Sequence, residues 1–556
     1  VSTVANLDPV SELRVALAGA ATGLRGGGAE SAGAASPRLE RPKRADQGDY
    51  ATNAAMLLAP ALGSPPREVA EKLGEALSQV LGDALRSFEV AGPGFLNLVL
   101  SDEWHASALR HVLDAGQNFG SGGAAEPERI LLEFVSANPT AVLVAASGRH
   151  AAYGDSLARI LLHHGHTVSR EYYFNDAGSQ IHRLGLSVRA RALGLEPPEG
   201  GYQGEYVTEL AAQIEGAADE SVDVDVIAGQ AVAILLTNIK ATLVRYGVRF
   251  DTFFSERTLH EGSPSALTRA IEQVKDAGHV YEHDGAVWLR TTTFGDDKDR
   301  VLMRSGGEPT YFAADLAYMA NKRERGYERQ LLPVGADHHG YVARLKAAFQ
   351  ALGNDPDLLE TLIIQFVHLV EGDARAAMSK RRGEFVTLDA LLDEIGVDAT
   401  RFFMLQSSHD RTLDLNLDLA RSSSAENPVY YIQYAHARTA SMLVKLGDER
   451  VAAAVAAGAD WTLQGSELHT SERELIKKLL DLPEEIADAA ERRAPHRVAA
   501  YALELGQVFT AFYRDCKVVG AEPEATESFR IALCVASKTQ LALVLDLLGV
   551  SAPDSM

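Results

Sequence analysis

Residues 131–180, LLEFVSANPTAVLVAASGRHAAYGDSLARILLHHGHTVSREYYFNDAGSQ, limit the fold more than any other stretch. Residues 130–135 form a short apolar run rich in β-formers, and Ser136, Asn138 and Pro139 end it with turn residues. A small-residue segment follows, then a helical pattern over 151–164 that Gly165 closes. Residues 167–174 read as a second strand. Strand, helix and parallel strand make a βαβ unit, the piece that opens a parallel nucleotide-binding sheet. Glu133, Ser136, Asn138, Ser147 and Asn175 fall at or near the carboxyl-end loops, where such sheets bind ligands.

The chain has 556 residues, more than one core usually serves, so about three domains are expected. No apolar run approaches the ~20 residues of a membrane span, and the amino end shows no basic-then-apolar signal pattern. Cys516 and Cys534 have no metal-type spacing, so a reducing cytoplasm is the default compartment. A net charge of −23 argues against diffuse nucleic-acid binding but leaves room for a local basic face.

Residues 1–115 read as a small α+β domain, with a weak helical pattern first, helices over 49–61 and 67–81, and a strand pair around AGPGFLNLVL. Arg38, Arg41, Lys43 and Arg44 oppose the acidic average, as a solvated surface or an RNA contact. A Gly-rich linker at 120–125 leads to a Rossmann-like domain over 125–400, with a helical insertion at about 185–250. From 401 to 556 the pattern is almost entirely helical.

Three further clusters carry chemistry. GADHHGY places Asp337, His338 and His339 after a strand, with Gly335 allowing close backbone approach. No third and fourth metal ligand stands at a recognisable spacing, so these residues suit a ribose, a base edge or a cationic substrate better than a metal. MSKRRGE offers Lys380, Arg381 and Arg382 to phosphate charge. ENPVYYIQYAHAR carries Tyr430, Tyr431 and Tyr434 at helical spacing, either as core or as a base-stacking face beside Arg438.

Taken together and in this order, the motifs resemble those of arginyl-tRNA synthetases, a class I aminoacyl-tRNA synthetase family, over nearly the whole chain. QGDYATNAAMLLA and AGPGFLNL resemble the family's amino-terminal additional domain. EFVSANPT, GRHAAYGD, EYYFNDAGSQI, EPTYFAADLAY, GADHHGY and MSKRRGEFVTLDAL resemble its catalytic fold. ENPVYYIQYAHAR and the final LLGVSAP resemble its helical anticodon-binding domain.

One segment departs from the family pattern T-G-P-L-H-[IV]-G-H-G-R, whose two histidines help bind ATP phosphates. Val144 and Ser147 occupy the histidine positions and Ala146 the glycine between them. Valine donates no hydrogen bond, and serine offers one neutral donor. Ala377 takes the first lysine position of the family's KMSK loop, while Met378, Ser379 and Lys380 remain. Arg149 and His150 stand nearby as substitute donors.

The resemblance implies an enzyme that activates L-arginine with ATP and Mg²⁺ and transfers it to tRNA(Arg), working as a monomer without a membrane. It assigns Met378, Ser379, Lys380, Arg381 and Ser147 to catalysis, and Ser147, Gly148, His150, Gly335, His338 and Lys380 to ATP. It assigns Glu133, Ser136 and Asn138 to the ammonium side of arginine, Tyr311 and Asp315 to the guanidinium, and Asp337 to the same pocket. Tyr430, Tyr434, Arg438 and Met556 fall to tRNA, and no side chains to a metal. Two other readings share these residues: a silent synthetase-like protein that binds arginine or tRNA, and a ligase that activates another amino acid.

Overall fold

The computed structural model describes residues 8–25, 37–42, 44, 47–372, 374–375, 386–457 and 467–556. Met378, Ser379, Lys380 and Arg381 lie outside the described residues, as does Lys43.

Five parallel strands form the central sheet. In chain order they are Arg129–Glu133, Thr167–Phe174, Thr252–Ser255, Arg329–Gly335 and Leu359–Ile364. Across the sheet they run third, second, first, fourth, fifth. This is the strand order of a Rossmann fold, which binds ligands where the order reverses. Here that point lies between the first and fourth strands. They pair only where Arg329, Gln330 and Leu331 meet Ile130, Leu131 and Leu132. Beyond that register the fourth strand continues beside the fifth alone, so a crevice opens at the carboxyl ends.

The helix that follows the first strand runs Ala145–His164, starting earlier than its apolar periodicity suggests. Its small residues explain the difference. A Cβ on Gly148 would come 2.8 Å from Leu388, and one on Gly154 would come 2.2 Å from Phe134. Close packing replaces the large apolar stripe that a sequence pattern detects. The stretches 280–289 and 359–371 each hold two strands. Val280–His283 and Ala286–Leu289 make a hairpin turned at Asp284 and Gly285, both with positive φ. Leu359–Ile364 belongs to the central sheet, whereas Val367–Glu371 pairs with Leu413–Asn416 in another.

Helices Ser179–Ala192, Glu205–Gln213 and Val224–Arg245 form an insertion with its own apolar core. The amino-terminal region packs the helices Pro9–Leu24, Ala54–Leu62 and Pro66–Leu81 on a four-stranded antiparallel sheet. Arg41 bonds Glu474 at 2.6 Å and Asp481 at 2.9 Å in the carboxyl-terminal helices. It joins two domains, so neither the solvated nor the RNA reading holds for it.

Helices Pro428–Leu446, Thr470–Leu480, Pro495–Asp515 and Glu524–Leu548 dominate the carboxyl-terminal region. Contrary to the expectation that no apolar run approaches that length, Val224–Arg245 and Glu524–Leu548 are each long and apolar enough for a membrane span. Both contribute residues to packed apolar cores, the second being mostly buried. Arg401, fully buried, ties these regions together: it bonds Asp155 Oδ2 at 2.7 Å, the Leu548 carbonyl at 2.9 Å and the Tyr246 carbonyl at 3.1 Å.

Candidate active site

A cavity of about 450 Å³ occupies the crevice where the strand order reverses. Each of the first four strands, or the loop after it, contributes to its wall: Glu133, Ser136 and Asn138 from the first, Tyr173 and Asn175 from the second, Glu256 from the third, and Leu332 and Val334 from the fourth. The helix Tyr311–Glu324 closes the other side with Tyr311, Asp315, Tyr318 and Lys322. These four recur at spacings of four, three and four residues, which is one helix face.

The wall is acidic, and tyrosines hold two of its acids and the carboxylate of Glu171 behind it. Tyr341 donates to Asp315, Tyr173 donates to Glu256 at 2.5 Å, and Tyr318 donates to Glu171 at 2.6 Å. Burial first, and the nearby Glu133 and Glu256 charges next, push the Asp315 carboxyl up to about 7. Glu133 accepts from Ser136 Oγ at 3.0 Å and from Lys322 Nζ at 2.6 Å. Glu133 thus stands within electrostatic reach of Asp315, so the two ends of the pocket are less separate than the motif implies. Asn138 accepts from the Asn175 amide at 3.2 Å and donates to Gln180 at 3.1 Å.

Glu133, Ser136, Asn138, Tyr311 and Asp315 line one cavity, and so does His338, which the motifs assign to the nucleotide. Asp337 does not line it. Its side chain is 70 % exposed and lies 3.6 Å from His338, turned outward by the tight turn Ala336–Tyr341. Tyr173, Glu256, Tyr318, Lys322 and Tyr341 escaped the sequence reading. The helical spacing from Asp315 could have found Tyr318 and Lys322. Glu256 and Tyr173 are brought in by the sheet and have no local signal.

A second set of residues lies at the amino end of the helix Ala145–His164. Val144 is extended and caps the helix without a side-chain hydrogen bond. Ser147, expected before the helix, lies in its first turn. Gly148 packs against Leu388. Arg149 cannot serve as a substitute donor there: buried, it bonds the carbonyls of Gln365 at 2.8 Å and Ser408 at 2.9 Å. Burial, with the Arg149 charge, pushes His150 down to about 4, so it is neutral at pH 7. Val144 bridges Thr387, Ala145 N–H bonds the Val386 carbonyl at 2.9 Å, and Leu388 N–H bonds the Leu143 carbonyl at 2.8 Å. The residues that follow MSKRRGE are thus bonded directly to the segment that departs from the family pattern.

In the carboxyl-terminal helices Tyr430, Tyr431 and Tyr434 line one hollow with Arg438. Tyr431, half-buried, bonds Thr510 at 3.0 Å. Tyr430, also half-buried, stacks on Tyr434 with ring centres 6.2 Å apart, and Tyr434 is 45 % exposed. Tyr434, Arg438 and Met556 line one hollow.

Three family descriptions match the chain in order. They are the arginyl-tRNA synthetase amino-terminal domain over 11–100, the class I (R) tRNA synthetase catalytic domain over 223–441, and the DALR anticodon binding domain over 432–556. The arginine–tRNA ligase of Frankia alni is 46 % identical over 532 residues, covering 93 % of this chain and 94 % of its own. The chain belongs to the arginine–tRNA ligase family. The ligase of Kineococcus radiotolerans is 45 % identical over 531 residues, with the same coverage of 93 % and 94 %. The arginyl-tRNA synthetase structure from Thermus thermophilus shares the fold, with a TM-score of 0.73 at 23 % identity over 98 % of this chain and all of that one. An arginine–tRNA ligase of this build is a class I synthetase: a Rossmann catalytic domain between an additional amino-terminal domain and an all-α anticodon-binding domain.

Proposed function

We propose that this arginine–tRNA ligase holds L-arginine in the cavity at the sheet's reversal point and ATP at the amino end of the helix Ala145–His164. The observation that carries this is the convergence of Glu133, Glu256 and Asp315 in one cavity, an acid wall suited to a planar cation with five donors. Asp315 and Tyr311 meet the guanidinium, and Ser136 and Asn138 the ammonium end. His338, at the cavity rim, and Gly335 face the nucleotide.

The arginine carboxylate attacks the ATP α-phosphorus, the bond to the β-phosphate oxygen breaks, and pyrophosphate leaves. The nucleophile is already ionised at pH 7, so this step needs positioning and charge neutralisation, not a general base. The terminal ribose hydroxyl of tRNA(Arg) then attacks the activated carbonyl, AMP departs with the bonding pair, and the hydroxyl proton passes to the leaving phosphate or water. A helix start favours phosphate, and although Ala145 N–H is bonded to the Val386 carbonyl and Ser147 N–H to the Val144 carbonyl, the Ser147 hydroxyl adds a neutral donor. Lys380 and Arg381 supply the remaining positive charge, with Met378 and Ser379 beside them in the sequence. Among the described residues no three His, Cys, Asp or Glu converge on a metal. Mg²⁺ would arrive on the ATP phosphates and add charge there.

Tyr430, Tyr434, Arg438 and Met556 offer stacking and charge to tRNA. Both cysteines are free and buried, which suits work in a reducing cytoplasm, and we take the chain to act as a monomer. The test is ATP–pyrophosphate exchange with arginine, with and without tRNA(Arg). Exchange specific to arginine is the expected result. Binding of arginine without exchange would favour the silent reading.

A further inference from the structure

Lys322 is buried at 3 % exposure in the acid wall. Its Nζ lies 2.6 Å from Glu133 Oε2 and 3.9 Å from the centre of the Tyr318 ring. It is the one Lys or Arg that lines the cavity among the described residues. The contact extends further. Glu133 Oε1 accepts from Ser136 Oγ at 3.0 Å, and Ser136 Oγ accepts from the Tyr173 amide at 3.2 Å. Val135 and Ser136 have φ of 66° and 41°, a left-handed backbone that side-chain-bearing residues keep only when their surroundings hold it. Lys322, Glu133 and Ser136 thus form a chain of bonds that fastens the strained turn leading to Asn138.

The groups around this pair are mostly acidic. Asp315 on the same helix and Glu256 after the third strand face it, with the phenols of Tyr173 and Tyr318. Glu171 lies behind Tyr318 and is paired with Arg325 at 2.6 Å. Without Lys322, three carboxylates would share one buried wall with no internal cation. Burial and like charge both favour proton uptake by such a cluster.

We propose that Lys322 is a positioning residue for arginine, fastening the substrate turn through Glu133 and supplying the internal cation that limits the acid wall to about one bound proton. The proposal rests on the arginine reading of the cavity. Asp315, pushed up to about 7, is the group that carries that one proton. A guanidinium entering the wall displaces it.

The test is calorimetry of arginine binding across the neutral pH range, in two buffers of different ionisation enthalpy, to count protons released. The parent is expected to release no more than about one proton per arginine. Lys322→Met is expected to release a second, so that its affinity falls about tenfold more steeply per pH unit below neutrality. Its KM for arginine rises while that for ATP does not. Lys322→Arg keeps the parent's proton count, and the pair Glu133→Gln with Lys322→Met loses the second proton. A Lys322→Met protein with the parent's proton count overturns the proposal. If that variant does not fold, a parent releasing two protons overturns it equally. A parent that binds no arginine at any pH defeats the reading of the cavity instead.

Discussion

Tyr341, the last residue of the turn Ala336–Tyr341, donates its phenol to Oδ2 of Asp315 on the helix Tyr311–Glu324. The Arg344 guanidinium lies over the same ring at 4.4 Å from its centre. The turn that follows the fourth strand thereby aims the acid of a helix that precedes that strand. Tyr341→Phe keeps the ring and removes the donor. Hydrogen bonds to charged groups contribute ~1.5–3 kcal/mol, so the KM for arginine is expected to rise about tenfold or more. The lost bond had been holding the Asp315 carboxyl down. The pH at which arginine use is half-maximal is therefore expected to move up, which a pH profile of kcat/KM measures.

Asp315 itself links function and stability to pH in opposite senses. Burial pushes its carboxyl up to about 7. A carboxyl raised in the folded state contributes stability that is full below its unfolded value and is lost as pH rises through the folded one. Asp315→Asn is expected to stabilise the ligand-free protein well above pH 7, on the order of 1–4 kcal/mol, with the gain vanishing below about pH 4. Melting curves across pH give the comparison. The same change removes the charge that meets the guanidinium. Arginine affinity is expected to fall by roughly 3–5 kcal/mol, for Asp315→Ala as well, with ATP binding retained in calorimetry.

At the phosphate site the expected order of effects follows from charge. Ser147→Ala removes one neutral hydrogen bond and should cost ~0.5–1.5 kcal/mol in exchange rate. Lys380→Ala should abolish adenylate formation, because His150 is uncharged at pH 7 and Arg149 is engaged elsewhere. Pyrophosphate exchange that survives Lys380→Ala would move the catalytic charge to another group.

For tRNA, Tyr434, stacked on Tyr430, is the exposed ring of the stripe. Stacking contributes ~1–3 kcal/mol per base, so Tyr434→Ala should weaken tRNA(Arg) binding by about five- to a hundredfold. Tyr431→Phe removes only the bond to Thr510 and should leave affinity unchanged. Equal affinity for Tyr434→Ala and the parent in a filter-binding titration would assign the stack to packing.

Much of this arrangement is local and therefore legible along the chain. Turn residues after 130–135, the closing Gly165 and the periodic apolar faces mark the βαβ unit, and the structure keeps both strands with small shifts of boundary. Tyr311 and Asp315 share a helix face because four residues make about one turn. The motifs also identified Glu133, Ser136 and Asn138 as neighbours, since all three lie at the end of one strand.

What the sequence by itself determined is therefore the set of segments and the residues within each that point the same way, because bond geometry and side-chain spacing act over a few residues. Tertiary structure alone decided which segments meet. The strand order brought Glu256 and Tyr173 to Asp315, and burial among those acids raised its carboxyl. Packing turned Asp337 outward, bound Arg149 to carbonyls of remote loops and set Arg41 between two domains. A charged side chain takes whichever partner the fold brings within reach, and desolvation sets how strongly it holds that partner. Neither quantity is written in the spacing of the residue's own neighbours, which is why the acid wall and the bond from Lys322 to Glu133 within it became visible only once the sheet was assembled.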